Sequence, residues 1–457
     1  MEVDTIAAVS TAPGRGAVAL VRMSGARSGA ILRSLAPSLE ALPEPRRVTL
    51  VELRDPVDGA ALDRALVTWF PGPASYTGED VVELSCHGGR LVPELIAEAC
   101  VPAGARRADP GEFTRRAYLH GKVDLVQAEA VADLIEARSR ARHRAALAQL
   151  ERGLSERIAA LHGALVRVEA LLVHHIDFPE EDEPPVPTAR IIDAAEALVP
   201  DMDALLATAP AGELLRDGAL VVLAGRPNAG KSSLYNALVG EERAIVTDEP
   251  GTTRDALVAS VELGGFPFRV VDTAGLREAG ERVERIGIEV TRRYLERADL
   301  VLLCVPWGQA RTASESAFLE EVRAVPVVWV DTKADLATDA DAGARGTSGK
   351  IAARLRVSAR TGEGLGDLQA LLGRLVYAGI VTASADAPIL TRARQRRGLE
   401  SARAEVEAFV AALRGGLPAE VAASHLRAAE SALEDLLGAI STEAVLDVVF
   451  AEFCVGK

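Results

Sequence analysis

The chain has 457 residues, enough for two to four domains, with 49% hydrophobic and 26% charged residues, the balance of an ordinary globular protein. Its net charge of −15 argues against a stand-alone nucleic-acid binder, because phosphate contacts need clustered Lys and Arg. Aromatics are only 4%, so the core is Ala, Leu and Val, which favours helices; no apolar run reaches the roughly 18 residues that span a bilayer.

Residues 1–118 read as α+β. TIAAVS (5–10) and GAVALVRMSG (16–25) are apolar runs split by the turn APGRG, and LVTWF (66–70) and DVVELSCHGG (80–89) continue the strand pattern. A helix is expected over Leu91–Cys100. From about residue 120 the pattern turns helical. Leu147, Leu150, Leu154, Ile158, Leu161, Leu165, Val168 and Leu172 step by three and four, one sustained stripe that stops at the acidic, Pro-rich DFPEEDEPP (177–185). A further helical stretch is expected from about 188 to 209. Two basic runs, Arg138–Arg144 at alternate positions and Arg392–Arg397, read first as solvated helix faces.

The apolar run ALVVLA (219–224) leads into GRPNAGKSS (225–233), a P-loop between a strand and a helix. Gly225 and Gly230 let backbone N–H groups close around phosphate oxygens. Lys231 supplies a charge to the outer phosphates, and the Ser232 hydroxyl suits magnesium. Asn228, Ala229 and Ser233 complete the phosphate-binding set. In TDEPGTTRD (247–255), Thr253 is expected to close over the nucleotide as a second magnesium hydroxyl, with Thr247, Asp248, Glu249, Pro250, Gly251 and Thr252 in the same loop. Asp272-Thr273-Ala274-Gly275 ends an apolar strand. Such an Asp reaches magnesium through water, and the Gly275 N–H can sense the γ-phosphate. Leu276 stands where many GTPases carry a water-orienting Gln.

Base choice rests on Thr332-Lys333-Ala334-Asp335, where Asp335 can accept two hydrogen bonds from guanine and leaves adenine unmatched. Thr332 occupies the position usually held by Asn. Ser358-Ala359-Arg360 suits the loop that touches the guanine carbonyl. These ordered motifs make GTP the expected nucleotide. The G domain is expected over 214–378, interrupting a helical domain of 119–213 and 379–457. Its second part carries helices over Thr391–Leu413 and Glu420–Ile440 and a last helix capped by Ser441-Thr442-Glu443.

Cysteines at 86, 100, 304 and 454 have no metal spacing and point to a reducing compartment. With MEVDTIAAVS lacking a signal layout, a cytoplasmic protein without membrane contact is expected. Other readings consistent with the G-domain motifs are a GTPase switch in ribosome assembly and a nucleotide-binding scaffold without turnover.

With these residues in view, the chain resembles the tRNA modification GTPase family called MnmE or TrmE. The resemblance rests on DTIAAVSTAPGRGAVALVRMSG, FPGPASYTGEDVVEL, PGEFTRRAYLHGKVDLVQAEAVADLI, GRPNAGKSSLYNAL, GTTRD, DTAGLRE with VERIGIE, and the terminal FCVGK. It covers essentially the whole chain. It implies an α+β N-terminal domain that dimerises and binds a formyl or methylene tetrahydrofolate, a discontinuous helical domain and an inserted Ras-like domain. It implies a flavin-dependent partner of the MnmG/GidA type, with which an aminomethyl-type group is placed on the wobble uridine of certain tRNAs. It also implies potassium-dependent pairing of G domains. Asn228, Thr247, Glu249 and Thr252 would hold the ion, and Glu284 would order the attacking water. Matching positions assign folate contacts to Arg22, Glu83, Lys122 and Lys457, and Cys454 to one-carbon transfer.

Overall fold

The computed structural model describes residues 4–177, 186–240, 258–272, 294–322, 325–336, 351–378, 388–439, 443–451 and 453–456. The expectations for Thr247 to Thr253, Thr273 to Gly275, Leu276, Glu284, Ser441, Thr442 and Lys457 lie outside them. The described residues divide between two compact units. One holds residues 1–132, 150–162 and 430–457, and the other holds 133–149 and 163–429.

The first unit is built on a six-stranded sheet of β1 (Ile6–Val9), β2 (Val18–Ser24), β3 (Thr49–Arg54), β4 (Ala61–Phe70), β5 (Val81–His87) and β6 (Arg106–Arg107), in the order β3-β4-β5-β2-β1-β6. The β1–β6 pair is parallel and the others are antiparallel. Alternation sets the faces. Val21, Met23, Val51, Leu53, Val67 and Leu84 point into a core closed by Ile31, Leu32 and Leu35 of helix Ser28–Leu35 and Ile96 of helix Val92–Ala99. On the opposite face, Val18, Leu50 and Leu66 are exposed. Periodicity missed β3 and the 28–35 helix, which are short and bounded by ordinary residues.

Helix 153–177 follows helix 140–150, and Arg152 between them has φ +71°. The apolar stripe expected as one run from Leu147 to Leu172 is therefore divided between two helices. Likewise the stretch expected over 188–209 is two helices, Thr188–Glu196 and Val199–Leu206, and a third, Ala209–Asp217, starts at its expected end. Pro200 and Pro210, each near a helix start, permit the restarts because a proline there gives up no intrahelical hydrogen bond.

The second unit contains another six-stranded sheet: β7 (Ala219–Ala224), β8 (Val258–Leu263), β9 (Phe266–Asp272), β10 (Leu300–Pro306), β11 (Val327–Thr332) and β12 (Ile351–Arg356), ordered β12-β11-β10-β7-β9-β8. All pairs are parallel except β8–β9. β7 is buried at every position, as a central parallel strand covered on both faces must be. Leu234, Leu238, Leu368 and Leu372 cover one face, and Leu319 and Val322 the other.

The segments flanking this sheet are tied together. Thr208 Oγ1 accepts from the Leu390 N–H at 3.1 Å, and a Cβ on Gly212 would meet Leu390 O at 2.0 Å. The buried Asp133 carboxylate accepts from Arg392 at 3.1 Å and Arg142 at 3.3 Å. Gln149 Nε2 donates to Ile389 O and to Thr391 Oγ1. Thus Arg142 and Arg392, one from each basic run, turn inward to one carboxylate and are not solvated, whereas Arg138, Arg140 and Arg144 are exposed.

Candidate functional site: a phosphate loop joined to a base-reading loop

The candidate site lies at the C-terminal ends of β7, β9, β10 and β11. A parallel sheet presents its ligand crevice there. Gly225 follows β7 with φ +139°, and a Cβ on it would lie 2.4 Å from Cys304 O of β10. Only glycine lets the loop leave the sheet so close to its neighbour. Asn228 (φ +60°) and Gly230 (φ +85°) are both left-handed, and helix Lys231–Val239 starts immediately after Gly230. This turns successive N–H groups toward one anion-binding concavity at a helix N-terminus.

Lys231 is 7% exposed, and its ammonium donates to Gly225 O and Arg226 O, each at 2.9 Å. The side chain thus bridges the start of its own loop. Arg226 is oriented from outside. Its guanidinium lies 3.1 Å from the buried Glu315 carboxylate, itself in a capping box with Thr312. Sequence reasoning passed over this pair because Glu315 reads as an ordinary first-turn acid.

Asp272 is buried at the end of β9, in register with Leu223, two residues before Gly225. Cys304 lies among these groups, and burial pushes its thiol up to about 12. The Asp272 charge acts in the same direction and the Lys231 charge opposes it.

The base-reading loop follows β11. Asp331 is fixed by Arg354 (Nε to Oδ2 2.6 Å, Nη2 to Oδ1 2.9 Å) and by the Trp329 indole N–H at 2.9 Å. Thr332 is buried, and its hydroxyl donates to Ala229 O in the phosphate loop at 2.6 Å. Lys333 is left-handed (φ +57°) and exposed, and Ala334 is buried. Asp335 accepts from the Ser358 hydroxyl at 2.7 Å and from Arg360 Nε at 2.9 Å. The Ser358 hydroxyl, and after it Arg360, holds the Asp335 carboxyl below the usual carboxylate range. Ala359 lies between these two partners in the turn. So Asn228 to Ser233, Asp272, Thr332 to Asp335 and Ser358 to Arg360 all gather at this edge of the sheet.

Ser232 is exposed in the first turn of the helix. A hydroxyl and a carboxylate from Ser232 and Asp272 are hard oxygen donors, the set that magnesium takes. The Asn228 amide oxygen is a donor of the same kind for an alkali cation. The other residues assigned to potassium, and Thr253 for magnesium, lie outside the described residues.

The first unit holds a second constellation. Arg22 on β2 and Glu83 on β5 face each other in register and form an ion pair at 2.7 Å. The Arg22 guanidinium also sits 5.6 Å from the Tyr76 ring centroid and 5.7 Å from that of Phe113. Neither aromatic was singled out from sequence, since one Tyr in a loop and one Phe in a helix carry no periodic signal. Lys122 Nζ donates to Pro73 O at 3.0 Å. The C-terminal tail returns to this sheet. Ser10 Oγ donates to Gly456 O at 2.9 Å, Val455 bridges to Pro110, and Cys454 is exposed.

Two family models match the chain. The GTP-binding protein TrmE N-terminus matches residues 5–122, and the MnmE helical domain matches 125–454. A tRNA modification GTPase MnmE of Azoarcus sp. (strain BH72) is 44% identical over 462 residues, covering 99% of this chain and 98% of the relative. The protein of the same description from Methylobacterium radiotolerans is 44% identical with 100% of both chains covered, and that from Laribacter hongkongensis is 43% identical with 99% of both.

Proposed function

This chain belongs to the MnmE family of tRNA modification GTPases, and on that premise we propose that it hydrolyses GTP to GDP and phosphate in the course of modifying tRNA. The observation that carries the reading is the hydrogen bond from Thr332 to Ala229, which ties a phosphate-binding loop to a base-reading loop across the sheet. The phosphate loop binds the triphosphate through backbone N–H groups and Lys231, and Asp335 reads guanine. The TrmE match over 5–122 extends the likeness well beyond the G domain and favours this reading over a switch in ribosome assembly.

The finer chemistry follows the same premise. Magnesium, held by Ser232 and Thr253 with Asp272 behind, would neutralise charge on the outer phosphates. Leu276 leaves the usual water-orienting amide unfilled. Asn228, Thr247, Glu249 and Thr252 would hold a potassium ion, whose positive charge would offset the charge developing on the phosphates when two G domains pair, and Glu284 would order the water. The N-terminal sheet would bind a tetrahydrofolate derivative. There Arg22 and Glu83 would exchange part of their mutual ion pair for the ligand, Lys122 and Lys457 would meet carboxylates, and Cys454 would assist one-carbon transfer. A homodimer acting with a flavin-dependent partner would then modify the wobble uridine.

The test is GTP hydrolysis by the purified protein in potassium chloride and sodium chloride at equal ionic strength. Strong stimulation by potassium is expected. Equal rates would remove the ion-assisted mechanism. No guanine-specific hydrolysis in either salt would remove the GTPase reading itself.

A further inference from the structure

Two arginine-bearing loops interlock at one end of the N-terminal sheet. The β1–β2 turn carries Arg15, and the loop after β5 carries Arg90. The Gly88 N–H donates to Ala17 O at 3.1 Å, and a Cβ on Gly88 would lie 2.3 Å from Gly16 O. The loops approach this closely only because Gly88 carries no side chain. Gly14 (φ +143°) and Gly89 (φ +149°) have nothing within 4 Å of a would-be Cβ. Each loop thus has open space beside its arginine.

A third arginine belongs to the same end. His87 faces Val18 on β2, its N–H donates to Asp63 Oδ2 at 2.8 Å, and its ring meets Asp63 Oδ1 at 2.7 Å. Arg64, next to Asp63 and two residues before the Leu66–Ser85 pair, therefore lies beside the end of β5. Arg15, Arg64 and Arg90 are all exposed, and none of their side chains has an ion-pair or hydrogen-bond partner among the described residues. Glu52, opposite Arg64 in register, is already engaged by Arg54 at 2.6 Å, and Asp63 by His87.

Three exposed guanidiniums, none held by a side-chain partner among the described residues, thus lie at one end of the sheet on a chain of net charge −15. Their complement is a ligand with several fixed, spaced negative charges. The guanidinium fork matches phosphate oxygens in particular. Resting on the reading of tRNA as substrate, we propose that the Arg15, Arg64 and Arg90 surface docks the phosphodiester backbone of tRNA. Val18 and Arg22 lie on the same face of β2, four residues or about 13 Å apart. RNA seated on the loops therefore places neighbouring nucleotides beside Arg22, Glu83 and the Cys454–Gly456 tail. The surface sets position and affinity, with no contact to base edges.

The experiment measures binding of an unmodified tRNA transcript to the full chain by fluorescence anisotropy across a salt series. R15A/R64A/R90A is expected to weaken binding about tenfold or more near 0.1 M salt. It should also make the slope of log K against log salt shallower by about 2 to 3. The triple Lys variant keeps most of the affinity, and GTP hydrolysis is unchanged in all. If the triple Ala variant misfolds, each single substitution should reduce the slope by about 1. Wild-type affinity and slope in the folded triple Ala variant would overturn this inference while leaving the tRNA reading intact. A wild-type chain that binds no tRNA would overturn both.

Discussion

The Thr332 hydroxyl and the Ala229 carbonyl, 103 residues apart, meet at 2.6 Å in the buried seam between the base-reading and phosphate loops. The residue that departs from the usual Asn still makes the inter-loop bond. Its hydroxyl supplies the donor, a group that an Asn amide also carries. Thr332→Val keeps the shape but leaves a buried carbonyl without its donor, at a cost of about 1–3 kcal/mol. Nucleotide titration should show GTP binding roughly ten- to hundredfold weaker in Thr332→Val and near wild type in Thr332→Ser. Equal affinity in Thr332→Val would show that the bond does not couple the loops.

Asp335 is expected to read guanine through an ionised carboxylate. Its pKa in the fold is lowered from 3.8 by the Ser358 hydroxyl and then Arg360. Stability from the ionised form is therefore complete above 3.8 and lost only as pH falls through the lower folded value. The preference for GTP over ATP, in which titration of the terminal phosphate cancels, should be flat from neutral pH down to about 5, well above the carboxylate range. Asp335→Asn turns one acceptor into a donor, so xanthosine triphosphate should displace GTP as the preferred nucleotide in competition binding. Unchanged preference would mean that another group reads the base.

Asp133 joins Arg142 and Arg392 beside the two segments that lead into and out of the G domain. Asp133 and Arg392 are both less than a tenth exposed, so removing the carboxylate strands buried positive charge. Asp133→Asn should cost about 3–5 kcal/mol in urea unfolding. A loss under about 0.5 kcal/mol would place it with ordinary surface substitutions.

The four cysteines should separate by reactivity. Burial pushes the Cys100 and Cys304 thiols up to about 12, so both stay protonated at neutral pH, and Cys86 is buried as well. Cys454 alone is exposed. An aromatic disulfide reagent should therefore titrate about one thiol rapidly in the folded protein, and none in Cys454→Ser. More than one fast thiol would contradict the burial of the other three.

Gly225→Ala places a Cβ 2.4 Å from Cys304 O at φ +139°, where backbone meets backbone and no side chain can yield. A marked fall in melting temperature together with loss of GTP binding is expected, since both the strain and the displaced loop act on the phosphate site. Retention of both would show that the β7–β10 seam can open.

The sequence by itself determined what is local. Gly225 to Ser233 is one contiguous turn whose glycines, lysine and serine carry their chemistry wherever the fold puts them. Thr332 to Asp335 and Ser358 to Arg360 are equally short, and the strands before them are legible as apolar runs. Tertiary structure decided what depends on partners far along the chain. It decided that Thr332 reaches Ala229, that Arg22 faces Glu83, that Arg142 and Arg392 turn inward to Asp133, and that Gly456 returns to Ser10. It also broke the stripe of leucines at Arg152, where periodicity saw one continuous run. Periodicity reports which side of an element is apolar. Which charge a buried polar group finds is set by packing between elements, because an unpaired polar group costs too much inside the core to be left to chance.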